Sequence, residues 1–414
     1  MVVDDLVIGS GLAGLGAVLG LLDAPDRRTA VLCGPGENRF LYYDGRRTVP
    51  CAYLGRGGLG SHWHGVVPMG WRHRFGAGDD AAFAGLFQRF YRRTSLQGRL
   101  GTAALFVPWR PVRPARELVA LAARLPGSRL TLVDEAALDL RFDERGVSVT
   151  TPAGIHRARR AWVAAGALHT PALLGRSVAP RACRDVVSDH AFCYVGQVEG
   201  QPAPAVTRGA DGAFFPARYD AAHRALYTLR PAVFDFRSLD AGIEQRALFG
   251  LPTGSALVKL ARRLSAGVLV EALYNRFGVL GAAQTHSVYA QTVARDAYAL
   301  HQAGEGPRLE PTAGRIREAT DAARAAQPFD GLRHSLRPEL HIPGIHLHHS
   351  LDEAELRRAG VNQGDSPVQV VDASVLDDIG PDHHAFKMML SAQQRARLSG
   401  RACVALPSVP EKRT

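Results

Sequence analysis

The sequence predicts an α/β protein, in which parallel strands alternate with helices. Three observations carry this prediction. A short apolar run at residues 6–8 leads through a glycine-rich turn into a helix of small residues. A second apolar run, at 161–165, leads into Gly166 and another helix, and a third run ends at Asp372. Short apolar runs bounded by turns are typical of buried parallel strands, so a sheet with helices on its faces is expected.

The turn after the first strand predicts a dinucleotide site. Gly9 allows a tight turn, Gly11 lets the backbone approach a pyrophosphate, and Gly14 lets the helix pack closely against the strand. The N–H groups of Leu12 and Ala13, at the positive end of the helix dipole, then face the diphosphate. The alternative is a glycine-rich turn of another α/β protein, but the position between a strand and a helix favours a dinucleotide.

The second strand is predicted at residues 29–32. In dinucleotide folds an acidic residue at its end commonly binds the ribose hydroxyls. Here Cys33 stands in that position, and Glu37 is a nearby alternative. Because this acidic residue is missing, the sequence gives no basis for predicting which nicotinamide dinucleotide the site would prefer.

A second glycine loop contains Gly57, Gly58 and Gly60 and continues into Ser61, His62, Trp63 and His64. Such glycines allow the backbone to approach a flat or phosphorylated group closely. The alternative is a glycine loop with an incidental aromatic residue. We expect Gly57, Gly58, Ser61, His62 and Trp63 to contact the cofactor.

Together the two glycine stretches resemble flavoproteins of the glucose–methanol–choline (GMC) oxidoreductase family, especially its pyranose-oxidase-like branch. That branch has a Gly-Gly-x-Ser-x-His-Trp loop over the flavin, and this chain departs from it with Gly60 at the serine position. The resemblance implies FAD as the cofactor. It also implies that His62 is the position where the flavin can be attached covalently, although many relatives with His-Trp bind flavin non-covalently.

Three further stretches match signatures of this family. Residues 164–174 are close to its Ala-Ala-Gly-Ala-x-x-(Ser/Thr)-Pro-x-Leu-Leu sequence, which implies cofactor contacts by Ala165 and Gly166 and places Pro171 in the first turn of a helix. Residues 188–190 resemble the family's turn into the substrate domain. Asp372 and Ala373 match its strand-then-Asp turn beside the flavin.

The end of the chain contains the predicted catalytic residues. The family places a catalytic His or Asn about eleven residues after the Asp, which implies His383, with His384 as the alternative. Upstream, the family motif His-x-x-Gly-Thr fits His346 best, with Ser350 at the Thr position. His349 replaces the glycine of that motif, so His348 and His349 remain alternatives.

The density of histidines also allows a metal site. The spacing of His346 and His348 predicts one face of a strand, but a metal needs a third ligand of fixed geometry and the sequence signals none. A satisfied core histidine is the other alternative. Because two histidine clusters flank Asp372, proton transfer is favoured over a metal, and no metal site is predicted.

The resemblance implies a Rossmann-like FAD-binding domain and an α+β substrate (cap) domain. We expect residues 1–190 and 336–414 to form the first and residues 191–335 the second. Helices are predicted at 115–125, 255–277 and 315–327. Strands are predicted at 128–133, 137–142, 146–151, 194–197, 213–219 and 225–236, with two more between 284 and 300.

Composition narrows the classes of partner. The chain has 414 residues, 50 Lys and Arg against 39 Asp and Glu, and a net charge of +11. The arginines are spread along the chain, which favours a solvated surface or an anionic substrate over nucleic acid. No apolar run is long enough to span a membrane, although the 255–277 helix could also lie on a membrane surface. Five scattered cysteines and a glycine turn starting at residue 9 predict a reduced, cytoplasmic protein.

These expectations combine into a FAD-dependent oxidoreductase that oxidises a CH–OH group of a small molecule to an aldehyde or ketone. A histidine would take the hydroxyl proton and flavin N5 the hydride. The alternatives are a flavin enzyme with a changed reaction, such as reduction or desaturation of a biosynthetic intermediate, and a flavin-binding protein that has lost catalysis. The electron acceptor stays open.

Overall fold

The computed structural model describes residues 1–34, 55–63, 65–70, 79–200, 206–231, 285–303, 306–334, 341–344 and 346–402. These residues form three sheets. The predicted helix at 255–277 lies outside the described residues, as does Glu37.

The first sheet has seven strands around a parallel centre. Its strands are β1 (Val2–Ile8), β2 (Thr29–Leu32), β5 (Leu130–Val133), β6 (Asp139–Asp143), β7 (Gly146–Thr151), β8 (Gly154–Val163) and β18 (Val368–Val370). Their order is β5-β2-β1-β8-β7-β6, and β18 pairs with β8. In β1, Val7 packs into one hydrophobic core, while Leu6 and Ile8 pack into another on the opposite face. This alternation means that both faces of the sheet are covered, as expected for parallel strands.

The third sheet is antiparallel and also has seven strands. They are β9 (Val186–Glu199), β12 (Arg218–Asp220), β13 (Ala225–Pro231), β14 (Thr285–Ala303), β15 (Gly306–Pro311), β16 (Leu332–His334) and β17 (His341–Pro343). The long strands β9 and β14 form its centre. A smaller second sheet comprises β3 (Val67–Pro68), β4 (Ala104–Pro108), β10 (Thr207–Arg208) and β11 (Gly212–Pro216).

Seven α-helices surround the sheets within the described ranges. They are α1 (Leu12–Leu21), α2 (Asp79–Phe90), α3 (Pro114–Arg124), α4 (Gly166–Ser177), α5 (Arg315–Ala325), α6 (Glu353–Arg358) and α7 (Ala385–Ala402). Short 3-10 helices span Gly58–His62, Pro180–Ala182 and Ala373–Val375.

Two of the strand predictions were wrong. The two strands predicted between 284 and 300 are one strand, β14, which bends at irregularities near Tyr289 and Asp296 instead of turning back. The segment 213–219 forms two strands of different sheets, because Pro216 ends β11 before β12 begins at Arg218. A proline has no backbone N–H to continue a ladder, so a break at this point is expected.

Two local predictions near the domain junction were also wrong. Pro171 lies in the second turn of α4 and not in the first, since this helix already begins at Gly166. Residues 188–190 form no turn, because they lie inside β9, where they pair with β14. The side chains of Asp189 and His190 therefore sit on a central strand of the antiparallel sheet, and the predicted boundary at residue 190 falls within that strand.

Helices α1 and α7 pack with their main chains in contact. A Cβ atom on Gly16 would lie 2.1 Å from the carbonyl oxygen of Met389, and one on Gly20 would lie 2.3 Å from that of Gln393. Gly20 and Gln393 each lie four residues after the first pair, so the two helices run parallel and in register. Both helices therefore begin at the same end, where the first glycine turn lies.

Candidate active site

The first glycine turn has the backbone geometry that the sequence predicts. Gly9 has φ +110°, and a Cβ there would lie 2.3 Å from the carbonyl oxygen of Ala164. A Cβ on Gly14 would lie 2.0 Å from the carbonyl oxygen of Gly9, so these two glycines are required by packing. Gly11 differs, because its Cβ would meet only the carbonyl oxygen of Gly57, at 3.6 Å. Gly11 therefore borders open space within the described part of the chain.

Among the described residues, the N-terminus of α1, at Gly11, has neither a side-chain cap nor an acidic residue in its first turn. Leu12 and Ala13 are buried there. The unpaired N–H groups and the positive dipole of such a terminus favour an anion.

The second glycine loop lies against the first. The hydroxyl of Ser10 donates to Cys33 O at 3.2 Å and accepts from Gly57 N at 2.9 Å, which links both loops to the end of β2. Gly57 and Gly58 have φ +90° and +52°, which favour glycine. A Cβ on Gly60 would lie 2.9 Å from side-chain atoms of both Leu12 and Pro114. This crowding is the physical reason why a glycine, and not a serine, stands at position 60.

The rest of this loop is held by polar contacts. Ser61 donates its hydroxyl to Arg56 O at 3.2 Å, and Trp63 is buried with its Nε1 unpaired among the described residues. The Arg56 side chain reaches Asp134 after β5, with Nε 2.6 Å from Oδ1, and this contact lowers the pKa of Asp134. His62 ends the 3-10 helix, but its side chain and all of His64 lie outside the described residues, so covalent attachment at His62 stays a prediction.

Asp372 joins α4 to the segment after β18, at the carboxyl ends of β8 and β18. Its Oδ2 accepts from Gly166 N at 2.8 Å and from Thr170 Oγ1 at 2.5 Å. Its Oδ1 accepts from both the amide and the hydroxyl of Ser374. Parallel strands place their carboxyl ends at one edge of a sheet, and ligands of open α/β folds bind at that edge. Ala165, Gly166, Asp372 and Ala373 therefore lie at the same edge as the first glycine turn.

Five histidines come together beside β9 and the start of α7. We call them the histidine cluster: His190, His346, His348, His383 and His384. The ring of His346 lies 4.9 Å from that of His190, 5.1 Å from that of His384 and 5.8 Å from that of His383, between centroids. The ring of His348 lies 6.2 Å from that of His190. All four histidines predicted to be catalytic thus belong to one cluster.

Hydrogen bonds hold this cluster to the main chain. His190 Nε2 lies 2.7 Å from Gly380 O, and His190 Nδ1 lies 2.8 Å from His346 Nδ1. His348 donates Nδ1–H to His346 O at 3.0 Å. His346 and His348 do not lie in a regular strand as predicted, because β17 ends at Pro343 and only an isolated bridge pairs His348 with Ser188 of β9. Both rings nevertheless reach the cluster.

Burial keeps much of the cluster uncharged. It lowers the pKa of His348 to about 4 and that of His190 and His384 well below the usual range, and the neighbouring histidines act in the same direction. Near neutral pH these three side chains are therefore neutral imidazoles. His348 Nε2 and His384 Nδ1 have no hydrogen-bond partner among the described residues. Neutral imidazoles can accept protons, which is what a general base needs.

His349 lies apart from the cluster. Its Nε2 accepts from Arg184 Nη1 at 2.8 Å, and burial and this guanidinium lower its pKa. Its φ of +58° turns the ring away while its amide donates to Ala373 O. His349 therefore lies outside the histidine cluster, whereas His346 lies within it.

Sequence reasoning missed two polar members of this site. His190 was noted only as part of a turn, and Gln291 on β14, whose Nε2 lies 2.9 Å from His190 Nδ1, was not noted at all. The Ser188-Asp189-His190 motif was the available signal for His190. Nothing in the local sequence distinguishes Gln291, because only the pairing of β14 with β9 brings it to the site.

The third metal ligand that the sequence did not signal is present in space. His190, His346 and His384 each offer a nitrogen, and these atoms lie within 4.8 Å of one another. However, the contact of 2.8 Å between His190 and His346 is already a good hydrogen bond without an ion. The arrangement therefore needs no metal to account for it.

Solved structures with this fold include several oxidases. The chain is similar to pyridoxine 4-oxidase from Mesorbium loti (14% identity, TM-score 0.50, 95% of this chain and 98% of that one covered). It is also similar to a fungal aryl-alcohol oxidase (13%, 0.51, 97% and 99%) and to a formate oxidase (13%, 0.50, 97% and 98%). No protein-family model and no curated protein matches the sequence. The fold expected from the GMC resemblance, a Rossmann-like domain with a cap domain, is confirmed.

One further observation concerns the helices. Within the part of the chain that the structure describes, no helix combines the length and the apolar character needed to cross a bilayer.

Proposed function

We propose that this protein binds FAD and oxidises a CH–OH group of a small molecule to an aldehyde or ketone. One observation carries the proposal. The parallel register of α1 and α7 continues from Gly16 and Met389 back to the helix starts, so His384 is level with Gly11. The proposed diphosphate site and His384 of the histidine cluster thus lie at the same end of two packed helices, which are typically 8–10 Å apart.

The residues of the site fit FAD in two respects. Gly11 and Gly58 face each other without side chains, since a Cβ on Gly58 would meet Gly11 Cα at 3.6 Å. The uncapped start of α1 supplies N–H groups for the diphosphate. We propose that Gly9, Gly11, Leu12, Ala13 and Gly14 hold the diphosphate. The second loop (Gly57, Gly58, Ser61, His62 and Trp63) and the strand-edge residues (Ala165, Gly166, Asp372 and Ala373) hold the rest of the cofactor.

The solved oxidases of this fold support the same class of activity. These proteins are named as oxidases of pyridoxine, aryl alcohol and formate. In this proposal residues 1–190 and 336–414 bind the cofactor, and residues 191–335 cover the substrate.

The protein's own residues provide the proton chemistry. An alcohol carbon releases hydride readily only as its hydroxyl proton leaves, so a base must lie beside the hydroxyl. We propose His346 as that base and His383 as its partner on the other side of the cluster, with ring centroids 5.8 Å apart. His348 and His384 are the alternatives, because each has a buried ring nitrogen with no hydrogen-bond partner in the part of the chain that the structure describes. When bound, FAD supplies the acceptor for the hydride.

An absorption spectrum of the purified protein tests the proposal most directly. We expect a flavin band that bleaches under anaerobic conditions when a suitable alcohol is added. A panel should include ring-bearing primary alcohols, sugars and a carboxylate-bearing alcohol, because the net charge of +11 favours anionic substrates. Acid precipitation of the same sample separates non-covalent flavin from flavin attached at His62. Protein that cannot be reconstituted with FAD would contradict the proposal, and bound flavin that no alcohol bleaches would favour a changed reaction.

A further inference from the structure

The end of β2 lacks the acidic residue that dinucleotide folds commonly place there, and the neighbouring strand supplies one. Cys33 follows β2, while Asp134 follows β5. We propose that Asp134 accepts a hydrogen bond from a ribose hydroxyl in the adenosine half of FAD, and that Arg56 holds Asp134 in position. This inference rests on the proposed function, because it names a residue for one part of the proposed cofactor site.

Cys33 is a poor replacement for the missing acid. Its side chain is buried, and the thiol donates to Val31 O at 3.6 Å, within its own strand segment. Burial raises the pKa of this thiol, and the Asp134 carboxylate acts in the same direction. The thiol is therefore neutral near neutral pH. The effect of Asp134 on Cys33 also means that this carboxylate lies within electrostatic range of the position where the acid is expected.

The topology of the first sheet places Asp134 beside that position. β2 and β5 are parallel neighbours whose last residues are opposite each other. The pairing continues past the strand ends, where Cys33 N donates to Val133 O at 2.8 Å. Gly34 N then donates to Glu135 O at 3.1 Å. Asp134 therefore lies one strand away from Cys33 at the carboxyl edge of the sheet, where ligands of open α/β folds bind.

Two acidic residues follow β5, and their carboxylates face different ways. Glu135 Oε2 accepts from Thr151 Oγ1 and lies 2.8 Å from His156 Nε2, so it is turned toward β7 and β8. Asp134 is turned toward the second glycine loop instead, and 49% of its side-chain surface is exposed. Successive side chains of an extended segment point to opposite sides, so this difference is expected. Asp134 is thus the acid that faces solvent beside the glycine loops.

Arg56 fixes the position of the Asp134 carboxylate. Its Nε donates to Oδ1 at 2.6 Å and its Nη2 donates to Oδ2, which makes a bidentate pair. Hydrogen bonding to Arg56 lowers the pKa of Asp134 and so keeps the carboxylate ionised. A carboxylate has about four lone-pair sites, and the arginine occupies only two of them. The other sites can accept hydrogen bonds from hydroxyl groups.

The same arginine connects Asp134 to the proposed diphosphate site. Arg56 directly precedes Gly57, whose N donates to Ser10 Oγ at 2.9 Å. Ser10 in turn directly precedes Gly11, at the start of α1. Asp134 and the proposed diphosphate site therefore belong to one edge of the sheet and are joined by a single loop.

The charge of Asp134 determines which part of the cofactor it can bind. A carboxylate repels the diphosphate, so its partner must be a neutral donor. The adenosine half of FAD offers two kinds of donor, the ribose hydroxyls and the adenine amino group. The ribose is favoured, because it is bonded directly to the diphosphate and because an acid at this edge commonly binds its hydroxyls.

Three kinds of variant test this assignment. Asp134→Ala removes the acceptor, and Asp139→Ala is the matched control, since Asp139 lies on β6 at the opposite edge of the sheet and accepts from Arg141 Nε at 3.0 Å. A charge swap, Arg56→Asp together with Asp134→Arg, retains an ion pair but moves the carboxylate to the loop. Glu37→Gln tests the alternative acid that the sequence offers.

Calorimetric titration of the full-length apoprotein with FAD, FMN, ADP, 2′-deoxy-ADP and 3′-deoxy-ADP measures the contribution of each part of the cofactor. Asp134→Ala and the charge swap should bind FAD and ADP about 10–100-fold more weakly, the factor of one hydrogen bond to a charged group. FMN has no adenosine, so it should bind Asp134→Ala and Asp139→Ala equally well. At least one deoxy nucleotide should bind the unmodified chain more weakly than ADP does, and this difference should disappear in Asp134→Ala. Thermal unfolding of each apoprotein checks that the fold is retained.

Several results would overturn the inference while FAD binding stays intact. Equal FAD affinity of Asp134→Ala and Asp139→Ala would do so, as would full affinity in the charge swap. A parallel loss of FMN and FAD affinity in Asp134→Ala would mean that Asp134 only supports the loop. A loss of FAD affinity in Glu37→Gln alone would assign the ribose to Glu37, and deoxy nucleotides that bind the unmodified chain as well as ADP would exclude a ribose contact. An unmodified chain that cannot be reconstituted with FAD would instead refute the proposed function, and this inference with it.

Discussion

Gly16 of α1 lies so close to Met389 of α7 that a Cβ atom would stand 2.1 Å from the Met389 carbonyl oxygen. The nearest obstacle is main chain, which cannot move aside as a flexible side chain can. This contact fixes the position of α7 relative to the first glycine turn. It therefore connects the proposed cofactor site, at the start of α1, with His383 and His384, at the start of α7.

Gly16→Ala should destabilise the protein by about 1–3 kcal/mol, because extra volume in a tight contact forces the two helices apart. The matched control is Gly85→Ala in α2, where a Cβ meets no atom within 4 Å. That change should stabilise the protein by about 0.5–1 kcal/mol through helix propensity. Urea unfolding of both variants measures the difference. An unfolding midpoint for Gly16→Ala equal to that of the unmodified chain would show that the helices are not packed this closely.

Gly11→Ala should weaken FAD binding at least tenfold without unfolding the protein. The added Cβ makes only an ordinary contact with Gly57, but it occupies the space through which a diphosphate approaches the backbone. Flavin titration of the apoprotein measures the dissociation constant, and thermal unfolding of the apoprotein checks that the fold is retained. Gly85→Ala is again the control. Equal affinity in both variants would mean that the diphosphate does not pass Gly11.

His383→Ala and His346→Ala should each slow flavin reduction by about 10²–10⁴-fold while the flavin band persists, because that is the contribution of a general acid or base. Stopped-flow absorbance under anaerobic conditions measures reduction separately from cofactor loss. His349→Ala, whose ring is bonded to Arg184 outside the cluster, should have a much smaller effect. If both cluster variants retain full rates with bound FAD, His348 and His384 become the candidates.

His169→Phe should increase the free energy of unfolding more at pH 5 than at pH 7.5. The difference between the two pH values should be about 1–2 kcal/mol. Burial lowers the pKa of His169 from 6.5 to about 4, and its Nε2 has no partner among the described residues. Between these values the unfolded chain binds more protons than the folded one, so stability falls as pH falls. Phenylalanine removes that proton uptake. Urea unfolding at both pH values tests this, with His301→Phe on the exposed part of β14 as the control. If the pH dependence of the free energy of unfolding changed equally in both variants, the burial of His169 would be contradicted.

Much of the fold follows from local sequence. The run from Leu6 to Gly14 specifies a strand, a tight turn and a helix, because glycine spacing and apolar runs act over a few residues. The second strand was predicted at the residues it occupies, and α3 was predicted within one residue at each end. The strand that ends at Asp372 could also be predicted from local sequence, since Asp372 caps the 3-10 helix that directly follows it.

The long antiparallel strands were harder to predict, since no local sequence feature indicates whether β14 turns back or continues. Its course depends on pairing with β9, which lies about a hundred residues earlier. The same pairing brings Gln291 to His190, a contact that no local pattern could indicate.

The sequence by itself determined that the histidines at 346–349 and 383–384 flank Asp372, and the resemblance made them candidates for catalysis. Only the tertiary structure decided which of them lie together. It placed His349 beside Arg184 and His346 beside His190. It also placed Gly380 O against the far side of the His190 ring. The physical reason is that a hydrogen bond between rings depends on distances of a few tenths of an ångström, set by the packing of two sheets and a helix. Spacing along the chain does not contain that information.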